Sequence, residues 1–465
     1  MKALSDRLVL VLGIGESGLA MARWCAREGA RLRVADTRDQ PPGLDRLRQA
    51  VPAAQVMLGA FTTDLLDGVD VIAASPGIDL RLPVFAAARE RNIAVVGEMA
   101  LFADALAALD ARERTRIIAI TGTNGKTTTT ALAAAMCRAA GLDAVAAGNI
   151  SPAALDVLID RLDHQAALPE CWVLELSSFQ LEAMGDLRPD AATVLNVSDD
   201  HLDRHSDLDT YAAIKARIFA GSGVQVLNRD DPRVMTMGLA GRHCVTVGSD
   251  TPGSPDDYGI ARGADGLWLV HGMRPLVRTD MLQLTGRHNA VNALAALALG
   301  AAIGCGMEPM VEALKGFRGL PHRMELVARR RDGVPFYDDS KGTNVGSTVA
   351  ALEGLESRAV LIAGGDGKGQ DFSPLRPAVA RHARAVLLIG RDAALMESAL
   401  EGVGVAVERV PDLDSAVVRA NTLARAGDTI LLSPACSSLD AFRNYAHRGE
   451  CFVAAVRRLP EVSAP

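Results

Sequence analysis

Three segments of the chain share one pattern of apolar and polar positions. In each, a run of four to six apolar residues leads directly into glycines and then into a helical pattern. The segments are LVLVLGIGESGLAMARWCAREG (8–29), RIIAITGTNGKTTTTALAAAMCRAAG (116–141) and AVLIAGGDGKGQDF (359–372). Unbroken apolar runs are typical of strands buried on both faces, and intervening helices make such strands parallel. The pattern predicts an α/β protein in which each segment opens its own unit.

The periodic pattern lapses at the charged stretch DARERTR (110–116) and at GLPHRMELV (319–327). We therefore expect three domains, at residues 1–105, 106–319 and 320–465. Between about 220 and 285, short β-like pieces such as VQVLN, HCVTVG and LWLVHG are separated by Gly, Pro and Asp. These pieces indicate a small antiparallel annex to the middle domain. The apolar stretch 290–303 is too short to span a bilayer, so we expect a buried helix there.

Composition and charge narrow the classes of function. A length of 465 residues fits about three domains. The net charge of −7 argues against a surface that binds nucleic acid. The seven cysteines form no CxxC pair, so neither a disulfide framework nor a zinc ribbon is indicated, and a reducing cytoplasm is the expected compartment. The opening MKALSDRLVLVLGIGESG does not match a signal peptide, and no membrane insertion is expected.

The first glycine turn contains Gly13, Gly15 and Gly18 directly after a strand, and Asp36 ends the next strand-like run. In this arrangement backbone NH groups face a pyrophosphate at a helix N-terminus, and the later acid reaches a ribose. The turn predicts binding of a nucleotide diphosphate, and NAD is not distinguished from others. The alternative is a glycine-rich turn that binds nothing.

The second glycine turn, TGTNGKTTT (121–129), provides Gly122, Gly125, Lys126 and a hydroxyl from Thr127 or Thr128. A phosphate loop needs inward amides, a lysine for the β- and γ-phosphates and a hydroxyl for Mg²⁺. The turn departs from GxxxxGK[ST] because Ile120 stands at the first glycine. The alternative is a polar helix cap with a chance GKT.

Acidic and histidine residues follow two further strands. Glu175 ends the strand CWVLEL, and His201 lies in an acid-rich loop after TVLNV, so both are candidates to bind a hard cation beside the phosphates. A solvated loop is the preferred interpretation for most of the four acids Asp199, Asp200, Asp203 and Asp209, and also for His205. On the residues alone, Lys215 is interpreted as a surface lysine.

Three classes of function remain. A nicotinamide-dependent dehydrogenase uses the first glycine turn and leaves Lys126 without a role. An ATP-using enzyme with a nucleotide-linked substrate uses both turns, which favours it. A regulator that binds both nucleotides without turnover is the third class.

Taken in order, the motifs resemble one family, the ATP-dependent Mur ligases of peptidoglycan synthesis. The matching blocks include GIGESGLA, SPGI, TGTNGKTTT, AGNI, LELSSFQLE, NVSDDHLDRH, YAAIKARIF, TGRHNAVNALAA, GLPHRME, DDSKGTNVGST, GGDGKGQDFSPL and LLSPACSSLDAFRNYAHRGECF. DSKGTN and SPACSSLDAF are similar to the members that add glutamate, and DDSK stands where the diaminopimelate- or lysine-adding members carry DNPR. Folylpolyglutamate synthase shares the phosphate loop, but a GxGxxG nucleotide domain is not expected of it.

The resemblance implies a Rossmann-like N-terminal domain, a central ATPase domain and a Rossmann-like C-terminal domain. It implies that ATP phosphorylates the terminal carboxylate of UDP-N-acetylmuramoyl-L-alanine, and that the amine of D-glutamate attacks the resulting acyl phosphate. The preference for D- over L-glutamate comes from the resemblance alone. The implied cofactors are ATP and two Mg²⁺ ions, and Lys215 is expected to carry a CO₂-derived carbamate. The protein is expected to be a monomer.

The resemblance also implies site residues. The catalytic positions are Lys126, His201 and Lys215, and the metal ligands are Thr127, Glu175, His201 and Lys215. ATP contacts are implied at Gly122, Thr123, Asn124, Gly125, Lys126, Thr127, Thr128, Asn289, Arg323 and Asp339, with His288 and His322 nearby. Contacts to the UDP substrate are implied at Gly15, Glu16, Ser17, Asp36, Thr37, Arg38, Gly77 and Asn149. Contacts to glutamate are implied at Lys341, Thr343, Lys368, Ser438, Leu439 and Tyr445.

One of these positions departs from the expected chemistry. The acid Glu16 beside a diphosphate is unfavourable unless its side chain points away.

Overall fold

The computed structural model describes residues 4–200, 204–205, 207–284, 286–355 and 357–463. These residues form three β-sheets with helices between the strands. The three apolar runs form strands Leu8–Leu12, Arg116–Thr121 and Ala359–Gly364, each an inner strand of its own sheet. The predicted α/β class with three parallel units is confirmed.

The first sheet is fully parallel, with strand order β3-β2-β1-β4-β5. Its strands are β1 (Leu8–Leu12), β2 (Arg31–Asp36), β3 (Gln55–Leu58), β4 (Val71–Ala74) and β5 (Ala94–Val96). Its helices are α1 (Glu16–Arg27), α2 (Leu44–Ala50), α3 (Pro83–Glu90) and α4 (Glu98–Ala108). The order reverses between β1 and β4, and ligands of such sheets bind at the carboxyl ends of the strands at this reversal. The first glycine turn lies there.

The second sheet has nine strands in the order β14-β13-β12-β11-β10-β9-β6-β8-β7. Its strands are β6 (Arg116–Thr121), β7 (Ala144–Gly148), β8 (Cys171–Glu175), β9 (Ala191–Val194), β10 (Val224–Asn228), β11 (Cys244–Val247), β12 (Tyr258–Gly263), β13 (Gly266–His271) and β14 (Arg274–Arg278). Its helices are α5 (Lys126–Ala139), α6 (Ala154–Asp163), α7 (Ser178–Glu182), α8 (Leu208–Ala216), α9 (Pro232–Met235), α10 (Arg287–Ala302) and α11 (Met307–Gly316).

The antiparallel annex of this sheet is smaller than expected. Strands β10 and β11, which contain VQVLN and part of HCVTVG, continue the parallel order from β9. Antiparallel pairing begins only between β12 and β13 and continues to β14. The apolar stretch 290–303 lies almost entirely in α10, which buries twelve of its sixteen residues. Among the described residues, no helix has the length and apolar character needed to cross a membrane.

The third sheet has the order β19-β18-β17-β20-β16-β15-β21, parallel except at the edge formed by β15 and β21. Its strands are β15 (Glu325–Arg330), β16 (Pro335–Asp338), β17 (Ala359–Gly364), β18 (Ala383–Ile389), β19 (Ala406–Arg409), β20 (Thr429–Leu432) and β21 (Val462–Ser463). Its helices are α12 (Val345–Glu353), α13 (Leu375–His382), α14 (Ala393–Ala399), α15 (Leu413–Leu423) and α16 (Tyr445–Arg457).

The first and second sheets share a continuous apolar core. One buried cluster includes Leu19 of α1, Phe102 of α4 and Trp172 of β8, and the Phe102 and Trp172 rings meet edge to face at 4.8 Å. At the surface of this junction, Arg204 pairs with Asp79 at 3.2 Å and with Glu182 at 2.6 Å. The two units are therefore packed as one body around this core.

Gly18→Ala tests the packing of the first glycine turn. A Cβ at Gly18 would lie 1.8 Å from the Gly13 carbonyl oxygen, so α1 and the turn would have to separate. We expect the free energy of unfolding to fall by about 1–3 kcal/mol. Gly77→Ala is the control because a Cβ there meets nothing within 4 Å. Equal thermal unfolding midpoints for the two variants would contradict the close approach.

Candidate active site

The second glycine turn connects β6 to α5 and is held by Asn196. The Asn124 amide donates to Asn196 Oδ1 at 2.8 Å, and the Thr123 amide donates to the Asn196 carbonyl at 2.9 Å. Gly125 has φ +80°, and a Cβ there would lie 2.6 Å from Asn292 Oδ1. Glycine is therefore required, since both the conformation and the space exclude a side chain. The turn presents backbone amides at the N-terminus of α5, where an anion is favoured.

Lys126 folds back over this turn. Its Nζ donates to the carbonyls of Gly122 and Thr123, both at 2.8 Å. Burial lowers the pKa of Lys126, while the charges of Glu175 and Asp200 oppose that shift. The ammonium group is thus held at the entrance of the phosphate loop, as the motif predicts for a lysine that contacts phosphate.

Glu175 ends β8 beside the loop and is only 2% exposed. Its Oε1 accepts from Asn149 Nδ2 at 2.6 Å, while its Oε2 is buried without a hydrogen-bond partner among the described residues. The Thr127 hydroxyl lines the same cleft. An unpaired buried carboxylate oxygen is costly, and a carboxylate with a hydroxyl is the donor set that Mg²⁺ prefers. The residues present therefore fit a divalent cation.

Lys215 of α8 is not at the surface, so its interpretation as a surface lysine is wrong. The side chain is 1% exposed, and its Nζ donates to the Gly122 carbonyl at 2.9 Å. The Nζ also lies 4.3 Å from the centroid of the Tyr211 ring. Burial lowers the pKa of Lys215 well below its usual value, and the charge of Lys126 adds to this. Helix α8 is apolar on the side that carries Lys215 because that side packs beneath the phosphate loop.

Two residues next to the third sheet, one before β15 and one in α12, contact the phosphate loop. Arg323 Nη2 donates to Thr127 Oγ1 at 2.6 Å, and Ser347 Oγ donates to Asn124 Oδ1 at 2.7 Å. Burial lowers the pKa of Arg323, and the charges of Glu175 and Asp339 oppose that shift. The guanidinium therefore connects the third unit to the loop of the second.

Two adjacent clefts meet at the phosphate loop. The first, of about 460 Å³, lies between α10 and the start of α12, and the second, of about 650 Å³, lies between Glu175 and α16. Both are lined by Asn124, Gly125, Arg323 and Lys341. Groups bound in the two clefts would therefore meet at the loop.

The first cleft combines apolar and amide side chains. Its apolar lining is provided by Leu195, Val247, Leu284 and Val291, and its polar lining includes Thr128, His288, Asn289, Asn292 and Asp339. Burial raises the pKa of Asp339 to about 7, although Ser433 Oγ donates to its Oδ2 at 2.7 Å. Burial also lowers the pKa of His288 to about 4. An apolar slot with few polar groups is typical of a site for a nucleobase and its ribose.

Asn292 was not identified from the sequence. It lies one helical turn after Asn289, and its Nδ2 donates to Asn289 Oδ1 at 3.3 Å. The spacing of three residues, which places both amides on one helix face, is the signal that would have found it.

The second cleft contains three of the six positions implied for glutamate: Lys341, Thr343 and Tyr445. Lys341 Nζ lies 3.9 Å from the centroid of the Tyr445 ring. Burial lowers the pKa of Lys341 to about 8, and the charges of Arg323, Lys126 and Lys368 add to this. The other three positions do not line this cleft: Lys368 is exposed, Leu439 is 67% exposed and Ser438 is buried.

The first glycine turn is organised by Asp36. Its Oδ2 accepts from the Ile14 amide at 2.7 Å, and Arg38 donates to both carboxylate oxygens at 2.8 and 2.7 Å. These hydrogen bonds from Arg38, more than any other contact, hold the pKa of Asp36 at about 2. Thr37 and Gly77 lie exposed beside the turn, and Gly15 precedes α1 as its N-cap. Asp36 therefore holds the turn and Arg38 together.

Glu16 points toward the second unit. Its Oε2 accepts from Ser151 Oγ at 2.6 Å, and Ser151 lines the second cleft next to Asn149. Ser17 makes a hydrogen bond to the buried carboxyl of Glu98. Burial raises the pKa of Glu98 to about 7, and the hydrogen bond from Ser17 opposes this rise. The side chains of Glu16 and Ser17 thus connect the first glycine turn to its neighbours.

Comparison with known proteins agrees with this architecture. The model of the Mur ligase MurD-like N-terminal domain matches residues 7–97, that of the Mur ligase middle domain matches 120–300, and that of the Mur ligase glutamate ligase domain matches 322–436. The chain is 64% identical to UDP-N-acetylmuramoylalanine--D-glutamate ligase of Aromatoleum aromaticum, over all of both chains. This chain belongs to the Mur ligase family. It is therefore an ATP-dependent ligase that forms amide bonds, in a family that uses ATP and Mg²⁺.

Other Mur ligases are similar over comparable lengths. The enzyme of the same name from Nitrosospira multiformis is 52% identical, over 99% of this chain and 97% of its own. The solved structure of UDP-N-acetylmuramate-alanine ligase MurC from Thermotoga maritima has a TM-score of 0.57 at 20% identity, covering 97% of this chain and 99% of its own. MurF from Acinetobacter baumannii has a TM-score of 0.56 at 16% identity, covering 97% and 91%. The two structures show the three-sheet Mur ligase fold.

Among the described residues of the acid-rich loop in this Mur ligase, some are exposed to solvent and others are buried or line the second cleft. His201 and Asp203 lie outside the described residues. Asp199 and Asp209 are exposed, as expected. The interpretation of His205 as solvated is wrong, because its side chain is buried with Nε2 3.0 Å from Ser178 Oγ. Asp200 is half-buried and lines the second cleft. Periodicity does not reveal the contact between His205 and Ser178.

Arg323→Gln tests the connection between the third unit of the Mur ligase and the phosphate loop. A charge-assisted hydrogen bond contributes about 1.5–3 kcal/mol, so we expect the Kd for Mg·ATP to rise about 10- to 100-fold. Isothermal titration calorimetry provides the measurement. Arg318→Gln is the control because Arg318 is exposed and lines neither cleft. An unchanged Kd in Arg323→Gln would contradict the role of Arg323.

Proposed function

We propose that this Mur ligase joins D-glutamate to UDP-N-acetylmuramoyl-L-alanine through an acyl-phosphate intermediate, releasing ADP and phosphate, in peptidoglycan precursor synthesis. The observation that carries the proposal is a set of three cations where the first cleft meets the second: Lys126, Arg323 and Lys341. The names of the two curated relatives support the choice of substrates.

Such a cation set suits phosphoryl transfer to a carboxylate. A carboxylate is a poor electrophile, and an acyl phosphate is a good one. Lys126 and the loop amides hold the β- and γ-phosphates, while Arg323 and Lys341 face the negative charge that accumulates as the phosphoryl group moves. Preorganised cations lower this barrier because they need not reorient during the reaction.

The metal site involves four positions. Thr127 and Glu175 would hold one Mg²⁺, and His201 with a carbamylated Lys215 would complete a second site. When bound, the ions supply Lewis-acid stabilisation of phosphate oxygens. The buried, unpaired Oε2 of Glu175 supports a cation beside the loop.

The protonation state of the Lys215 amine supports a carbamate on this residue. Burial favours the neutral amine, whose lone pair attacks CO₂ to give a carbamate and one proton. The product carries a negative charge next to Lys126 and offers two oxygen ligands. The modification thus replaces an unfavourable buried cation by an anion that suits the site.

The remaining substrate contacts divide between the outer units. The first glycine turn, with Gly15, Ser17 and Arg38, binds the uridine diphosphate, and Asn149 lies toward the muramoyl end. Lys341, Thr343 and Tyr445 bind glutamate in the second cleft. The family resemblance alone supports Lys368, Ser438 and Leu439 as further glutamate contacts, since these three residues do not line that cleft. We further propose domain boundaries near residues 105 and 319, a monomer, and action in the cytoplasm.

The reaction is tested by Mg·ATP-dependent phosphate release with UDP-N-acetylmuramoyl-L-alanine, run with D-glutamate, with L-glutamate and with neither. We expect release with D-glutamate, and at least 100-fold less in Lys126→Ala because the phosphates lose their cation. Release with L-glutamate instead would change the product. ATP binding without phosphate release in all three mixtures would contradict the proposed reaction.

The carbamate is tested by removing its amine. We expect Lys215→Ala to lose activity about 100- to 1,000-fold, and acetate or formate to restore part of it by filling the vacant ligand position. Steady-state rates with and without the free carboxylate provide the measurement. Lys315→Ala is the control, since the Lys315 side chain pairs with Glu312 and lines neither cleft. Full activity in Lys215→Arg would overturn the idea, because a guanidinium cannot ligate Mg²⁺.

A further inference from the structure

His322 and Asp338 form a hydrogen-bonded pair at the edge of the second cleft, and the reaction described above does not use this pair. His322 Nδ1 lies 2.7 Å from Asp338 Oδ2. Asp338 is completely buried at the end of β16, and its Oδ1 accepts from the Ser340 amide at 2.9 Å. Burial raises the pKa of Asp338, and the hydrogen bond to His322 opposes that shift. Both oxygens of this carboxylate are therefore hydrogen-bonded, one of them to the imidazole.

The backbone of His322 is fixed from both sides. Its amide donates to Glu325 Oε2 at 2.9 Å, and its carbonyl accepts from the Lys341 amide at 3.1 Å. Its φ is +62°, a left-handed conformation that is uncommon for residues other than glycine. The chain adopts this conformation at the cleft because the neighbouring contacts determine it, and strain of this kind clusters at functional sites.

Helix α16 leaves room for the pair. A Cβ at Gly449 would lie 2.2 Å from His322 Nδ1 and 2.6 Å from Asp338 Oδ2. The pair therefore occupies the space that a side chain at this position of the helix would need.

The free edge of the imidazole belongs to the second cleft. His322 lines that cleft, and because Nδ1 is directed at Asp338, Nε2 is the ring nitrogen left to face a ligand. A carboxylate on Nδ1–H selects the tautomer in which Nε2 carries the lone pair. The His322 ring meets the Tyr445 ring edge to face at 6.2 Å, and Lys341 Nζ lies over the same Tyr445 ring. A base and a cation thus flank one aromatic ring.

We propose that His322, oriented by Asp338, is the base that deprotonates the ammonium group of the incoming amino acid. This inference rests on the proposed function, because it requires an amine that attacks an acyl phosphate in the second cleft. An amino acid with a carboxylate at Lys341 would place its ammonium in the same cleft that His322 and Tyr445 line.

The proton balance requires such a group. An ammonium has no lone pair, so one proton moves to His322 Nε2 and leaves a neutral amine and an imidazolium. The amine then forms the C–N bond, the C–O bond to the phosphate breaks, and the second N–H proton leaves with the phosphate. The imidazolium returns its proton to solvent after the product leaves.

The pair is also a candidate metal group, since ligand atoms of His322, Glu325 and Asp338 lie within 4.8 Å of one another. His322 Nδ1 and Asp338 Oδ2 are already hydrogen-bonded to each other at 2.7 Å, and Glu325 Oε2 accepts from the His322 amide at 2.9 Å. The geometry is that of a hydrogen-bonded dyad, which favours proton transfer over metal binding.

The test replaces glutamate by hydroxylamine, which is unprotonated at neutral pH and traps the acyl phosphate as a hydroxamate without a base. In His322→Asn we expect glutamate-dependent amide formation to fall about 100- to 10,000-fold. We expect hydroxamate formation from ATP and UDP-N-acetylmuramoyl-L-alanine to stay within about threefold of the unmodified enzyme. Asp338→Asn should lower kcat with glutamate and leave KM for glutamate and the hydroxamate rate nearly unchanged.

His164→Asn is the matched control, because His164 faces Asp160 in a similar pair that is exposed on α6. Equal loss of amide and hydroxamate in His322→Asn would show a structural role and overturn the proposal, as would full amide formation. Metal-dependent recovery of amide formation on adding Zn²⁺ or Mn²⁺ to chelator-treated enzyme in excess Mg²⁺ would favour a metal site and also overturn it. If the unmodified enzyme forms no hydroxamate, the proposed function itself fails, so the two failures are distinguishable.

Discussion

The concentration of positive charge at the phosphate loop is the constraint on which the active site depends. Lys126, Arg323 and Lys341 come from three separate segments, and burial lowers the pKa of each. Buried cations repel one another strongly, and anions placed between them offset this repulsion. The site is therefore built for ligands that bring several negative charges, and triphosphate and carboxylate groups meet that requirement.

The three sheets contribute to the active site in different ways. The second sheet holds the loop and the carboxylate of Glu175, and the third sheet adds Arg323 and Lys341 by closing over the loop. The first sheet shares its apolar core with the second, so the first glycine turn keeps a defined position relative to Asn149 and Ser151. Hydrogen bonds thus connect the third unit to the phosphate loop, whereas the junction of the first two sheets combines apolar packing with the ion pairs of Arg204.

The residues by themselves predicted the local chemistry of the phosphate loop and the class of fold. They were wrong where the outcome depended on a partner distant in the chain. VQVLN pairs in parallel because it lies next to β9, and an isolated strand carries no information about the direction of its neighbour. Lys215 follows an apolar stripe in the manner of a surface lysine, yet α8 places it under Gly122. The family resemblance, unlike the residues alone, predicted that Lys215 belongs to the active site, because it related that position to proteins of the same fold.

Sequence alone determined those features that a short stretch of chain specifies through its own backbone and side chains. A glycine with positive φ in a phosphate loop, an apolar run long enough for a buried strand and a helix that is apolar on all sides are properties of this kind. Tertiary structure decided which charges and hydrogen-bonding groups meet, as with Arg323 on Thr127 and His322 on Asp338. Electrostatic and hydrogen-bond energies depend on distances through space, and only the packing of the three sheets sets those distances.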